Sequence, residues 1–322
     1  MSLTITRRSA LAGGLASAVA LTLAACGNDS GSSSADSTAS AASDATAVAS
    51  EAPFYAAATA APAGAVDVKD VATKGITVSG DTATIKVGAS PEPHVTILQW
   101  VQDNLTAGTG ISLDITSIND YQTPNSSLGD GSLAANFFQT PNFLKQQIDD
   151  KGYDFTATAK VHIEPMGLYS STVKSVDDIP DGGTIILNND PANTARGFRL
   201  LETAGLITVD PSVELLTDVD VTENKKNLKF KTVDGAQVAR SMADADAACI
   251  NGNYALEAGL SPKDDALVLE PGENSPYANE LVVRTADKDN AALAKLAALL
   301  NSDELKKFIE EKWTDESVIP AF

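Results

Sequence analysis

The side chains here that could carry proton transfer, nucleophilic attack or metal binding are two histidines, two cysteines and a few paired carboxylates. His162 lies between Val161 and Ile163 in an alternating pattern, which suits a structural imidazole in a strand better than a general base. His94 follows Pro93 at the start of a helical pattern, where it could line a cleft, but no Ser or Cys nucleophile motif accompanies it. Cys249 stands in the apolar run Ala247-Ala248-Cys249-Ile250 and reads as a small buried hydrophobe. Asp177-Asp178 and Asp264-Asp265 read as solvated loop charges. No G-x-S-x-G, Walker loop, H-E-x-x-H or paired metal spacing occurs. An enzyme is therefore the weaker class, and no catalytic residue, metal or cofactor is expected.

The other cysteine has a different chemistry. Arg7 and Arg8 precede an uncharged run, Ser9 to Leu23, that is short and rich in Ala and Gly for a membrane span. It ends in Leu23-Ala24-Ala25-Cys26-Gly27, which resembles the bacterial lipobox, where a cysteine takes up diacylglycerol after cleavage at small residues. Residues 1–25 are expected to be a lipoprotein signal peptide and Cys26 the lipidated residue, by Sec or twin-arginine export. Cleavage removes the positive Arg7 and Arg8 from a chain whose formal net charge is already −20. So acidic a chain is repelled by nucleic acid and by anionic lipid. Attachment to the outer face of the cell membrane must then come from the lipid. Acylation of Cys26 leaves Cys249 without a disulfide partner.

Stepwise along the chain, residues 26–82 form a tether expected to be mostly disordered. Gly27 to Gly64 is Ser, Ala, Asp and Thr with almost no large apolar residue, too little to offset chain entropy. As a flexible coil of roughly 38 residues it would reach roughly 35 Å. Residues 65–82 carry no clear pattern. Thr84-Ile85-Lys86-Val87 reads as a strand ended by Gly88, and His94, Ile97, Leu98, Val101 and Leu105 fall at helical spacing. Ile111, Leu113 and Ile115 alternate as a half-buried strand, and Leu144 and Ile148 lie in a helix closed by Gly152. Asp190-Pro191 supplies an N-cap and a proline at the first helical position, with Gly205 near that helix's end. Leu293, Leu296, Ala297 and Leu300, then Leu305, Phe308 and Ile309, give two C-terminal helices. Strands alternating with helices over about 240 residues imply an α/β protein of two lobes.

Five segments, in order, resemble the NlpA/MetQ family of methionine-binding lipoproteins of ABC importers. Asn119-Asp120-Tyr121 with Pro124-Asn125 is similar to its N-D-Y-x-x-P-N, and Asn136-Phe137-Phe138-Gln139 to its N-x-F-Q. Asn189-Asp190-Pro191 with Asn193 and Arg196 matches N-D-P-x-N-x-x-R. Ile250-Asn251 with Tyr254 matches I-N-x-x-Y, and Ser275-Pro276-Tyr277 with Asn279 matches S-P-Y-x-N.

The resemblance implies a type II periplasmic-binding-protein fold, two α/β lobes joined by two crossovers with a ligand cleft between them. Lobe 1 would be residues 83–166 and 276–322, and lobe 2 residues 167–275, with crossovers near 164–170 and 272–277. The implied ligand-binding set is Tyr121, Phe138, Thr140, Phe143, Arg196, Asn251 and Asn279. In it Arg196 offers a bidentate fork to a carboxylate, helped by the helix N-terminus at Asp190-Pro191. Asn251 and Asn279 offer amide groups, and Tyr121, Phe138 and Phe143 form an aromatic wall. The family commonly reads F-Q-H-x-P-Y where this chain has Phe138-Gln139-Thr140-Pro141-Asn142-Phe143, so two polar contacts differ. The implied partners are an amino-acid ligand, methionine or a close relative, and an ABC permease with its ATPase; the protein would act as a monomer. The same fold binding another amino acid or a short peptide, or a surface lipoprotein in adhesion or catalysis, are the competing readings.

Cys26→Ala is expected to leave the folded body intact while releasing it from membranes or blocking maturation. Processed protein of this variant still sedimenting with membranes would refute the anchor.

Overall fold

Period-two apolar runs closed by turns, each followed by a capped helix, dictate an alternation of strand and helix. The computed structural model describes residues 54–57 and 61–322. The expected signal peptide, Cys26 and the first part of the expected tether lie outside the described residues. The chain opens with β1 (Ile76–Ser79), β2 (Thr82–Ala89), α1 (Thr96–Asn104), β3 (Ile111–Ser117), α2 (Thr123–Asp130), β4 (Ala135–Gln139), α3 (Pro141–Lys151) and β5 (Phe155–Ile163). A second set follows: β6 (Gly167–Tyr169), β7 (Thr184–Asn188), α4 (Pro191–Thr203), β8 (Ile207–Val209), β9 (Val221–Asn224) and β10 (Lys229–Val233). It continues with α5 (Gly235–Ser241), β11 (Ala247–Ile250), α6 (Gly252–Glu257), α7 (Pro262–Asp265) and β12 (Ala266–Leu269). The chain then returns through β13 (Ala278–Arg284), α8 (Ala291–Leu300), α9 (Asp303–Lys312) and β14 (Ile319–Pro320).

The result is two α/β lobes, the architecture that the resemblance implies. The sheet of the first lobe runs β1-β2-β4-β13-β5-β14, with β3 on the other side of β2. β2 pairs in parallel with β3 and β4, while β13 lies antiparallel between β4 and β5. The second sheet runs β10-β7-β11-β6-β12, and β8 and β9 form a small hairpin-like pair beside it. Each lobe has its own core. Ile85, Val87, Ile97, Leu98, Phe137 and Leu296 fill the first, and Leu168, Ile185, Leu187, Phe198 and Leu201 the second. Each such side chain, fully buried, contributes about 1.5–3 kcal/mol. The chain passes between the sheets twice, at residues 164–166 and 270–277.

The tether ends earlier than residue 82. Val66, Val71 and Ile76 are buried in the first core, the Val66 amide donates to Thr109 O at 2.8 Å, and β1 pairs with β2. Upstream, Tyr55 bridges to Ala157 of β5, with Ala56 N donating to Ala157 O and Ala157 N to Phe54 O. Phe54 and Tyr55 pack on Leu128, Leu144 and Phe155. Composition misleads here because a few spaced apolar anchors suffice when an existing sheet and core receive them. Cys249 is wholly buried in the second core, which pushes its thiol up, and the two Asp pairs are exposed.

Glu280, on β13, is a buried carboxyl whose two oxygens have no hydrogen-bond partner among the described residues. Burial raises its pKa from the usual 4.5 to about 8, with Lys160 opposing the rise. The folded state therefore holds Glu280 protonated, and the unfolded chain releases the proton at lower pH. Stability from this group is complete below about pH 4.5 and is lost as pH rises through about 8. Glu280→Gln is expected to stabilise the protein at pH 9 by about 2–4 kcal/mol and to flatten the decline from pH 6 to 9, read from urea midpoints. An unchanged decline in the variant would show that Glu280 does not cause it.

Candidate functional site

The ends of strands from both lobes converge on one narrow, partly open cleft. The first lobe contributes Tyr121 from the loop after β3, Phe138 and Gln139 from β4, Thr140 and Phe143 at the start of α3, and Asn279 from β13. The second lobe contributes Asn193 and Arg196 from α4, and Asn251, Gly252 and Asn253 at the start of α6; Glu164 stands on the first crossover. All seven residues expected from the sequence line this one space. Sequence reasoning did not assign Gln139, Glu164, Asn193, Gly252 or Asn253. Asn193 was visible inside the N-D-P-x-N segment, whereas Glu164 and Asn253 are placed only by the crossover and by the turn into α6.

Arg196 is positioned as a helical residue one turn and a half into α4, whose start is fixed by Asp190 accepting from Asn193 N at 2.8 Å. Asp190 thereby takes up the helix's free N–H groups, so the anion site expected at that N-terminus is already capped. The expected bidentate fork is also committed. Nε donates to Glu270 Oε1 at 2.8 Å, and Nη2 donates to Glu270 Oε2 at 2.6 Å and to Glu164 O at 2.9 Å. Tyr277 stacks on the guanidinium at 4.2 Å. Nη1 carries no hydrogen bond to the described residues, and this edge remains for a ligand. Burial opposes the charge on Arg196, but Glu270 beside it more than restores it.

Glu164 lines the same cavity with only 4% exposure. Burial raises its pKa, against the pull of His94 and Arg196. Its Oε1 accepts from His162 Nε2 at 2.6 Å and from Asn279 Nδ2 at 3.2 Å, and Asn279 Oδ1 lies 3.0 Å from His94 Nε2. Burial holds both imidazoles neutral, with pKa lowered to about 4 for His94 and about 3 for His162. The expected free amide of Asn279 is thus partly engaged, and His94 supports the cavity wall from behind. His94, His162 and Glu164 could each turn one ligand atom toward a cation, since these atoms lie within 4.8 Å of one another. Yet Glu164 already accepts two hydrogen bonds, and neither Nδ1 has the outer partner that orients a metal-bound imidazole. The trio reads as a hydrogen-bond network.

Asn251 Nδ2 donates to Asn193 Oδ1 at 2.7 Å, which leaves it one free N–H. Asn253 Oδ1 accepts from Tyr121 OH at 2.5 Å, a bond between lobes, while its buried Nδ2 finds no acceptor among the described residues. A buried donor without a partner is costly, and Asn253 is among the residues that line the cavity. Tyr121, Phe138 and Phe143 stand with ring centroids 5.8–6.0 Å apart, and Tyr121 also stacks on Tyr254 at 5.0 Å. The three rings expected from the sequence therefore cluster along one side of the cleft lining. Thr140 turns its hydroxyl to Asn142 Oδ1 at 2.7 Å. Chemically, the site lines one cleft with a carboxyl group, a guanidinium and aromatic rings.

Residues 85–322 match the NlpA lipoprotein family. The methionine-binding lipoprotein MetQ of Bacillus subtilis (strain 168) is 40% identical over 242 residues, which cover 74% of this chain and 88% of that protein. Among solved structures, a periplasmic substrate-binding protein of an ABC transporter from Coxiella burnetii is 38% identical with a TM-score of 0.70, covering 74% of this chain and 100% of that one. A nutrient binding protein from Burkholderia cenocepacia bound to methionine is 38% identical with a TM-score of 0.71, covering the same 74% of this chain and 100% of that one.

Gly252 shows how closely α6 approaches the first crossover, since a Cβ there would lie 2.5 Å from Glu164 Cβ. Gly252→Ala is expected to keep both lobes folded but hold them farther apart. Small-angle scattering would report a larger radius of gyration for the variant; an unchanged radius would show that the contact yields locally.

Proposed function

The chain belongs to the NlpA lipoprotein family, and from that premise we propose that it is the substrate-binding lipoprotein of an ABC importer, capturing methionine between its lobes. The observation that carries this reading is one cleft that sets the Glu164 carboxylate against the Arg196 guanidinium beside an aromatic wall. A free amino acid answers all three. Its carboxylate takes Nη1 of Arg196 and the orphan Nδ2 of Asn253, its ammonium takes Glu164, and its side chain lies on Tyr121, Phe138 and Phe143. Thioether sulfur gains about 0.3–1.5 kcal/mol from each ring contact, which favours methionine over leucine. Thr140 and Phe143 stand where the family pattern has His and Tyr, making a less polar pocket that a thioether tolerates. The Bacillus relative is a methionine-binding lipoprotein and the Burkholderia one is bound to methionine, which supports the same ligand.

Delivery goes to a membrane permease and its ATPase, and the protein acts as a monomer. Among the described residues no helix is long and apolar enough to cross a membrane; the attachment proposed is lipid on Cys26, at the outer face of the cell membrane. The roughly 27 residues between Cys26 and Phe54 span at most about 90 Å. No catalytic role is proposed.

Calorimetry on ligand-free protein tests the reading. L-methionine is expected to outbind leucine, and methionine amide to bind about ten- to a hundredfold more weakly than methionine, as for loss of a hydrogen bond to a charged group. Equal binding of methionine and its amide would remove the carboxylate contact. Tight binding of another amino acid or a dipeptide, with none of methionine, would assign Thr140 and Phe143 to a change of substrate.

A further inference from the structure

Glu270 lies outside the cavity, at the start of the second crossover, yet its carboxylate holds the guanidinium that lines the site. Its carboxylate receives Nε and Nη2 of Arg196, and Oε2 also receives the Met166 amide at 2.8 Å. Its own amide donates to Met166 O at 3.0 Å, so the two crossovers are tied together beneath the guanidinium. Glu270, Met166 and Arg196 all belong to the side of the second lobe. The remaining contacts of Arg196 reach the other way, to Glu164 O where β5 ends and to the Tyr277 ring just before β13 begins.

We propose that Glu270 is a positioning residue: it clamps the guanidinium of Arg196 to the second lobe, so that only Nη1 faces the ligand and the contacts to Glu164 O and Tyr277 form as the lobes close. The ligand-affinity part of this inference rests on the functional reading above; the clamp itself does not. A guanidinium without Glu270 would be free to turn its fork toward the cavity or toward solvent. Closure and capture of the carboxylate would then no longer be one event.

Two measurements test the proposal. The first needs no ligand. In nitrogen-15 spectra the Arg196 Nε–H signal, assigned by its loss in Arg196→Lys, is expected to exchange slowly with solvent in the native protein and rapidly in Glu270→Gln. Persistence of slow exchange in Glu270→Gln would overturn the clamp. The second is a double-mutant cycle on L-methionine affinity. Glu270→Gln is expected to weaken binding by about tenfold in the native background and by little in the Arg196→Lys background, a coupling within the range for side chains that share one network. Additive effects would show that Glu270 acts independently of Arg196 and would overturn the proposal. Thermal midpoints of the ligand-free variants separate this from a general loss of stability, which would lower binding equally in both backgrounds. Absence of any methionine binding by the native protein would refute the functional reading while leaving the exchange measurement to decide on Glu270.

Discussion

A guanidinium that is 4% exposed, where two lobes and two crossovers meet, must be neutralised in place. Leaving such a charge dry and unpaired would cost several kcal/mol, more than a fair share of a domain's net stability. The surroundings of Arg196 answer this constraint: a carboxylate along one edge, a carbonyl at one corner and an aromatic ring against one face. Because these partners sit on different segments, satisfying the charge also fixes the relative path of the crossovers. The same arrangement leaves one edge of the fork for a ligand, so solvation of the residue and function of the site share a single geometry.

The rest of the cavity follows a similar logic of polar groups that support one another behind the surface they present. Glu164 is held by His162 and Asn279, and Asn279 by His94. On the first lobe Asn125, Asn136 and Gln139 close a ring of amide hydrogen bonds beneath the aromatic wall. Such networks are rigid only when nearly every member is satisfied. Among the described residues this network leaves three buried atoms unpartnered, Nδ1 of His94, Nδ1 of His162 and Nδ2 of Asn253, and Asn253 is one of the residues that line the cavity.

The sequence was legible wherever a local rule decides the outcome. Asp190-Pro191 starts α4 as a capped helix must, Gly152 closes α3 in a left-handed conformation, and alternating Ile111, Leu113 and Ile115 make β3. The seven expected cavity residues were legible because ordered motifs mark their segments. What stayed hidden depends on contacts distant in sequence. Glu270 looks like any acidic loop residue until Arg196, 74 positions away, is brought to it. Glu164 gains its meaning from the crossover, and Asn253 from a tyrosine of the opposite lobe. Val66, Val71 and Ile76 have no period of their own, and their burial is decided by the core that receives them.

Both ends of the described chain rest on the first lobe: Tyr55 joins the edge of β5, and β14 pairs with that same strand. The second lobe is therefore a guest inserted into the first, with no terminus of its own. Under the attachment proposed above, a lipid on Cys26 would hold the host lobe through its N-terminal segment and leave the guest joined to the membrane only by way of the two crossovers. A pull on that segment would then load the sheet of the host at β5 and leave the links between the lobes outside the line of force.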